Sequence, residues 1–118
     1  MRPDTEDMAR LWDILDAARA IREFTQGLSY QEFLDDRKTR NAVERNLEII
    51  GEAAKRISLE FRKQPSDIPW NSIIGLRNVL AHEYGEIRHE VIWSIVGDKL
   101  IPLIRHLEDL GVDNPPSL

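Results

Sequence analysis

The stretch AVERNLEIIGEAAKRI, residues 42–57, has the pattern of one long amphipathic helix. Its apolar side chains recur in steps of four and three residues, at Val43, Leu47, Ile50, Ala54 and Ile57. This spacing places side chains on one face of an α-helix, and it predicts a helix over residues 37–59. A second apolar row could contact another helix, including one from a second copy of the chain; it consists of Ala42, Ile49 and Ala53.

Helical periodicity continues on both sides of this stretch. Four further helices are predicted, one from Asp4 or Thr5 to about residue 24, and others near 30–35, 69–84 and 87–110. Pro102 should bend the last of them or break one of its hydrogen bonds. The sequence has no strand-like alternation and no internal repeat. The prediction is an all-α protein, an up-and-down bundle of four to five helices that dimerises through helices. One domain is expected over residues 1–110, followed by a loose tail at 111–118.

Composition narrows the class of protein. Hydrophobic residues make up 42% of the 118 and charged residues 31%, which is typical of a folded, charge-rich domain. There is no cysteine, so disulfides and thiolate catalysis are excluded. No stretch approaches the roughly 18 consecutive apolar residues of a membrane span, and the acidic start lacks the apolar core of a signal peptide. The expected location is the cytoplasm, with no membrane partner.

Charge is unevenly distributed along the chain. The net charge is −5, which argues against indiscriminate nucleic-acid binding, and nothing points to DNA. Residues 37–63 nevertheless carry eight basic and four acidic side chains. Arg37, Lys38 and Arg40 in this segment are candidates for contact with RNA phosphates. On charge alone, an ordinary solvated helix face is the more frequent explanation of such a segment.

The stretch LRNVLAHEYG, residues 76–85, carries the polar groups most suited to chemistry. Asn78 and His82 are four residues apart and share a helix face, and Arg77 and Tyr84 also align if the helix continues to Tyr84, with Gly85 as its stop. Arginine can bind a phosphate through two hydrogen bonds, and histidine can move protons near neutral pH. Together they suffice for metal-free cleavage of RNA, in which the substrate's own 2′-hydroxyl attacks phosphorus. By spacing alone, an ordinary polar helix end is the more frequent explanation.

Motifs for metal binding and for other kinds of catalysis are incomplete or absent in the sequence. Glu86 and His89 have the Glu-x-x-His spacing of di-iron helical bundles, and Glu48 and Glu52 could be added, but such sites need a second Glu-x-x-His, which is absent. The prediction is therefore no metal and no cofactor, with His89 a surface side chain. His106 belongs to no pattern. No phosphate-binding glycine loop and no nucleophile elbow is present.

The motif and its surroundings resemble a known family. LRNVLAHEYG matches the Arg-x4-His-x-Tyr signature of HepT-like proteins, also called the domain of unknown function 86, within the HEPN superfamily. Three further segments resemble that family in the same order: RNLEIIGEAAKRIS at 45–58, IPWNSIIGLRN at 68–78 and VIWSIVGDKLIPLI at 91–104. The resemblance covers nearly the whole chain and implies a HEPN-like helical fold.

The resemblance also implies a function. It suggests the toxin of a prokaryotic toxin–antitoxin pair, a metal-independent ribonuclease that acts as a homodimer. By position, Arg77 and His82 would be catalytic and Asn78 supporting. Tyr84 would be the tyrosine to which an MNT-type nucleotidyltransferase antitoxin transfers AMP. An alternative stays open, in which the chain is a nuclease-inactive helical module that dimerises and binds a nucleotide or the nucleotidyltransferase.

Overall fold

A computed structural model describes residues 3–112, which form eight helices and no strand. The helices are α1 (Thr5–Thr25), α2 (Tyr30–Asp35), α3 (Arg37–Arg56), α4 (Leu59–Arg62), α5 (Trp70–Ile74), α6 (Leu76–His82), α7 (Gly85–Asp98) and α8 (Leu100–Asp109). The predicted all-α class is confirmed. The fourth and fifth predicted helices are each divided in two, and α4 is an additional single turn. Most of the predicted loose tail, residues 113–118, lies outside the described residues.

The core forms around α1 and α3. Both helices turn their apolar rows toward each other, and the fully buried side chains include Leu11, Ile14, Leu15, Val43 and Leu47. At one end of the pair, the buried carboxylate of Asp7 accepts hydrogen bonds from the backbone N–H and the hydroxyl of Ser58, at 2.8 and 2.6 Å. The start of α1 therefore lies beside the end of α3, and the two helices are antiparallel.

The same contact explains where α3 ends. The sequence predicted a helix to residue 59, but α3 stops at Arg56 and Ile57 is extended. Ser58 is held by Asp7 and also caps α4, where its hydroxyl accepts a hydrogen bond from the N–H of Phe61. A tertiary contact across 51 positions thus ends a pattern that looks continuous in the sequence.

Side-chain caps fix the ends of the early helices. Ser29 and Glu32 form the predicted capping box, and Asp4 caps α1. Asp36 caps α3 by accepting from the N–H and hydroxyl of Thr39 at 3.1 and 2.7 Å. These hydrogen bonds favour the charged carboxylates, so bonds from Ser29 lower the pKa of Glu32, and bonds from Thr39 lower the pKa of Asp36.

Helices α5 and α6 pack across α3 at Gly51. A Cβ atom on Gly51 would lie 3.4 Å from the carbonyl oxygen of Ile73 and 3.9 Å from the backbone nitrogen of Arg77. A Cβ at residue 51 would therefore be in van der Waals contact with this backbone, and side-chain atoms beyond Cβ would press against it. The predicted helix 69–84 is interrupted at Gly75, a residue with weak preference for helix interiors.

The last predicted helix divides at Lys99, between α7 and α8. Pro102 has no N–H to donate to the carbonyl of Asp98, so the predicted loss of a helical hydrogen bond lies at this point, where the structure divides the helix in two. Beyond α8, Gly111 has φ of +84°, and the N–H groups of Gly111 and Val112 bond to the carbonyls of Glu108 and Leu107. This is the hydrogen-bond pattern of a Schellman motif, and it closes the helix with Val112 buried.

Candidate active site

Helix α6 exposes the residues that the sequence analysis singled out. Arg77, Asn78 and His82 all lie on its solvent side, whereas Leu80 is buried. At about 100° per residue, these three side chains fall within one exposed arc of the helix. The structure thus brings Arg77, Asn78 and His82 together on one short helix.

The His82 ring has a defined partner. Its Nδ1 lies 2.9 Å from the backbone carbonyl oxygen of Asn78, one turn earlier. A carbonyl only accepts hydrogen bonds, so Nδ1 is the protonated donor in this contact. In the neutral ring Nε2 is then an unprotonated acceptor on an exposed side chain, which is the state that a general base requires.

Tyr84 occupies a position that the sequence did not predict. The helix was expected to continue to Tyr84, but α6 ends at His82, and both Glu83 and Tyr84 have extended backbones. Gly85 has φ of +61° and begins α7 instead of following the end of α6. Tyr84 therefore does not align with Arg77 along a helix. Its side chain is 72% exposed in the two-residue connector after His82.

The start of α7 is attached to α3 by a charged cluster. Nε of Arg88 lies 2.5 Å from Oε1 of Glu44, close enough for an ion pair although the atoms are not aligned as a hydrogen bond. Next to it, Nη1 of Arg40 is 3.5 Å from Nε2 of His89. His89 is thus half-buried against Arg40, and the expectation of a surface side chain was wrong because α7 packs this residue toward α3.

The three predicted RNA-binding candidates differ in their surroundings. Arg37 and Lys38 are exposed at the first turn of α3, whereas Arg40 is half-buried at His89. The start of α6 meets α3 at Gly51, which is 14 positions from Arg37, or about 20 Å along the helix. The structure does not bring Arg37 and Lys38 next to Arg77.

The described part of the chain contains neither a cluster of metal ligands nor a helix suited to a membrane. Among residues 3–112, no three His, Asp or Glu side chains come together as a metal site. Within the same residues, none of the helices has the length and apolar character needed to cross a bilayer.

An apolar groove runs beside α6. Its volume is about 420 Å³, and its walls come from α3, α5, α6, α7 and α8. The apolar lining includes Leu47, Leu76, Val79, Ile95 and Leu103. Its polar lining is mixed in charge, with Asp67, Asp98, Lys99 and His106. Leu76 and Val79 lie on the helix that carries Arg77, Asn78 and His82, so the groove adjoins the candidate active site.

Comparison with known proteins identifies the family. The model described as ribonuclease HepT-like matches residues 14–110, which include α6 and both helices of the last pair. The chain belongs to the HepT-like family. The resemblance inferred from the sequence is therefore confirmed.

Several curated proteins are similar to this HepT-like chain. Two Methanocaldococcus jannaschii proteins each bear the name "Putative RNase". The first is 40% identical over 85% of this chain and 92% of its own length. The second is 39% identical over 94% of this chain and 92% of its own length. A probable ribonuclease HepT of Thermococcus cleftensis is 39% identical over 85% of this chain and 91% of its own. No solved structure gives a significant match.

Three residues near this site were not predicted from the sequence: Gly51, Glu44 and Arg88. Gly51 left a readable signal, because a glycine inside a strongly periodic helix suggests close packing. Glu44 and Arg88 left none, since they are 44 positions apart and nothing in a single sequence pairs them.

Proposed function

We propose that this protein is a metal-independent ribonuclease, with Arg77 and His82 as its catalytic residues. The observation that best supports this role is the contact between His82 Nδ1 and the Asn78 carbonyl, because it leaves Nε2 free to accept a proton. Asn78 supports His82 through its backbone. Family membership and the names of the relatives favour RNA as the substrate.

The reaction follows from the chemistry of these two side chains. Nε2 of His82 takes the proton of a ribose 2′-hydroxyl, and the oxygen forms a bond to the adjacent phosphorus. The bond from phosphorus to the 5′-oxygen breaks, leaving a 2′,3′-cyclic phosphate and a 5′-hydroxyl. Arg77 is permanently charged and stabilises the negative charge that develops on the phosphoryl oxygens. The leaving 5′-oxygen receives its proton from the protonated His82 of a second copy.

A second copy of the chain is the proposed occupant of the apolar groove. A twofold interface presents the same surface from both copies, so Asp98 of one could meet Lys99 of the other. Because Leu76 and Val79 line the groove, covering it would bring two α6 helices together. The homodimer would then combine two Arg77–His82 pairs in one cleft, with a base and an acid on opposite sides of the phosphate.

Tyr84 is the proposed point of control in a toxin–antitoxin pair. Tyr84 is exposed two residues after His82, so an MNT-type nucleotidyltransferase could reach it without unfolding the chain. The Tyr84 oxygen attacks the α-phosphorus of ATP and pyrophosphate leaves. The attached AMP adds negative charge beside His82 and repels RNA phosphate from the site.

The nuclease proposal is tested by incubating the purified protein with RNA in excess EDTA. The wild type should cleave, and His82→Ala and Arg77→Ala should lose cleavage while keeping the fold and oligomeric state. Intact RNA with the wild type at high concentration would favour the nuclease-inactive module.

The control by AMP is tested separately by co-expression with a nucleotidyltransferase of the MNT type and intact mass measurement. The expected mass gain is a multiple of one AMP unit, and Tyr84→Phe should abolish it. An unchanged mass with an active enzyme, ATP and magnesium would refute the role of Tyr84.

A further inference from the structure

Helix α6 cannot maintain its own geometry. It has seven residues, no side-chain cap at its start, and Leu80 as its one buried residue. Isolated helices shorter than about 12–15 residues are only marginally stable in water. The orientation of Arg77 and His82 therefore depends on the packing of Leu80 in the core and on the contacts made at the two ends of α6.

The first end is held by α3, where the backbone of Ile73 to Arg77 packs on Gly51. The second end is His82, which is joined to α7 by Glu83 and Tyr84 alone. A two-residue extended connector leaves little slack, so displacement of the start of α7 would be transmitted to His82. The contacts that hold the start of α7 therefore affect the position of His82.

Those contacts are the half-buried charged cluster between α7 and α3. In the Arg88–Glu44 pair the side chains are only 27% and 17% exposed. Arg40, which contacts His89, is one helical turn from Glu44 on α3, so the two contacts form one continuous attachment. Removal of one partner from such a partly buried pair costs more than removal from a surface pair, because a charge is left desolvated and unpaired.

Further along α7, aromatic contacts fix the same helix to α2. The ring of Trp93 lies 5.0 Å from Phe33 and 6.0 Å from Tyr30, measured between ring centroids. Desolvation by burial, followed by the charges of Glu90 and Glu86, raises the pKa of Tyr30. The aromatic contacts therefore hold the middle of α7 at Trp93, and the charged cluster holds the end nearest His82.

We propose that Glu44 and Arg88 are positioning residues for His82. Their ion pair, together with the Arg40–His89 contact, holds the first turns of α7 against α3, and the Glu83–Tyr84 connector then fixes the end of α6. They touch neither RNA nor the reacting atoms in this account. The inference deepens the proposed nuclease function and rests on it for its catalytic consequence.

The test compares Glu44→Gln, Arg88→Gln and the double variant with the wild type. A matched control is Arg19→Gln, because Arg19 and Glu108 form another tertiary ion pair, at 2.8 Å between α1 and α8 and remote in sequence from α6. Three quantities are measured for each variant: kcat and KM for RNA cleavage, thermal stability, and amide hydrogen exchange of residues 79–85.

Each single variant should lower kcat about 10- to 100-fold, as expected for a small misplacement of a catalytic group, while KM stays within about twofold. Exchange of residues 79–85 should rise in both. The double variant should be no worse than either single one, since it leaves no unpaired charge. Arg19→Gln removes a more exposed ion pair, so it should cost little stability and change neither kcat nor exchange of residues 79–85.

Unchanged kcat and unchanged exchange in Glu44→Gln would overturn the inference, and so would equal effects in Arg19→Gln. If the wild type cleaves no RNA, the nuclease proposal fails, but the exchange measurement still decides the positioning role. A rise limited to the Glu44 and Arg88 variants supports it, and the absence of that rise refutes it.

Discussion

The His82 ring is held by the backbone of Asn78: Nδ1 lies 2.9 Å from the Asn78 carbonyl oxygen. The Asn78 side chain is exposed and takes no part in this contact. The orientation of the imidazole therefore depends on the helical path of α6 and not on the identity of residue 78.

Replacement of Asn78 by alanine should accordingly leave the His82 ring in place. We expect the ¹⁵N chemical shifts of the ring to match those of the wild type, and cleavage to fall less than about tenfold, compared with about 100-fold or more for His82→Ala. NMR of the ring and a cleavage assay measure the two effects. A shift pattern that reports the other tautomer in Asn78→Ala would contradict the assignment of Nδ1–H as the donor.

Gly51 should be the position in α3 at which a larger side chain damages the site. Gly51→Val would push against the backbone of Ile73 and Arg77, shift α6 and reduce cleavage. Gly97 in α7 is the matched control, because a Cβ there would meet nothing within 4 Å. Gly97→Val should keep cleavage near the wild-type rate. Equal activity of the two valine variants would refute the close packing at Gly51.

The apolar groove should be the dimer interface. Val79→Glu puts a charge into the groove and should convert the dimer to a monomer, with loss of cleavage, as measured by analytical ultracentrifugation and an RNA assay. Phe24→Glu is the control, since Phe24 is also an exposed apolar side chain (42%) but does not line the groove. A Val79→Glu variant that still sedimented as a dimer would exclude this face as the interface.

Arg37 and Lys38 should attract RNA without acting in catalysis. Reversing both charges should weaken RNA binding and flatten its dependence on salt, because each lost phosphate contact lowers the slope by about one. Reversal of Arg22 and Arg105, which are exposed residues outside the basic segment, changes net charge equally and serves as the control. Arg40 was also predicted to bind RNA, but its substitution would disturb His89 as well. Equal loss of binding in both double variants would indicate a general effect of net charge.

How much the sequence could predict depended on whether the signal was local. Two features follow from residues within one turn of each other and were predicted correctly. They are the Ser29–Glu32 capping box and the loss of a helical hydrogen bond at Pro102. The end of α3 was not predicted correctly, because it is set by the contact between Ser58 and Asp7, which lie 51 positions apart. Tyr84 was placed on a helix because the apolar period gives no sign of the extended connector after His82.

In the candidate site, too, the local features could be predicted and the contacts between distant residues could not. Arg77, Asn78 and His82 could be found from their spacing and from the family resemblance, and the structure places them on one exposed helix face. The attachment of α7 to α3 through Glu44 and Arg88 could not be predicted, because periodicity carries no information on which charges meet across helices.

The most direct test of the central claim uses two RNA oligonucleotides that differ by a single oxygen. Cleavage of the first in EDTA locates the scissile phosphate, and the second carries a 2′-deoxyribose at that nucleotide only. We expect a 2′,3′-cyclic phosphate product from the first, no cleavage at that position in the second, and no product from either with His82→Ala. Cleavage of the deoxy-substituted oligonucleotide at the same phosphate would contradict this claim, because the attacking group could not then be the substrate's own hydroxyl.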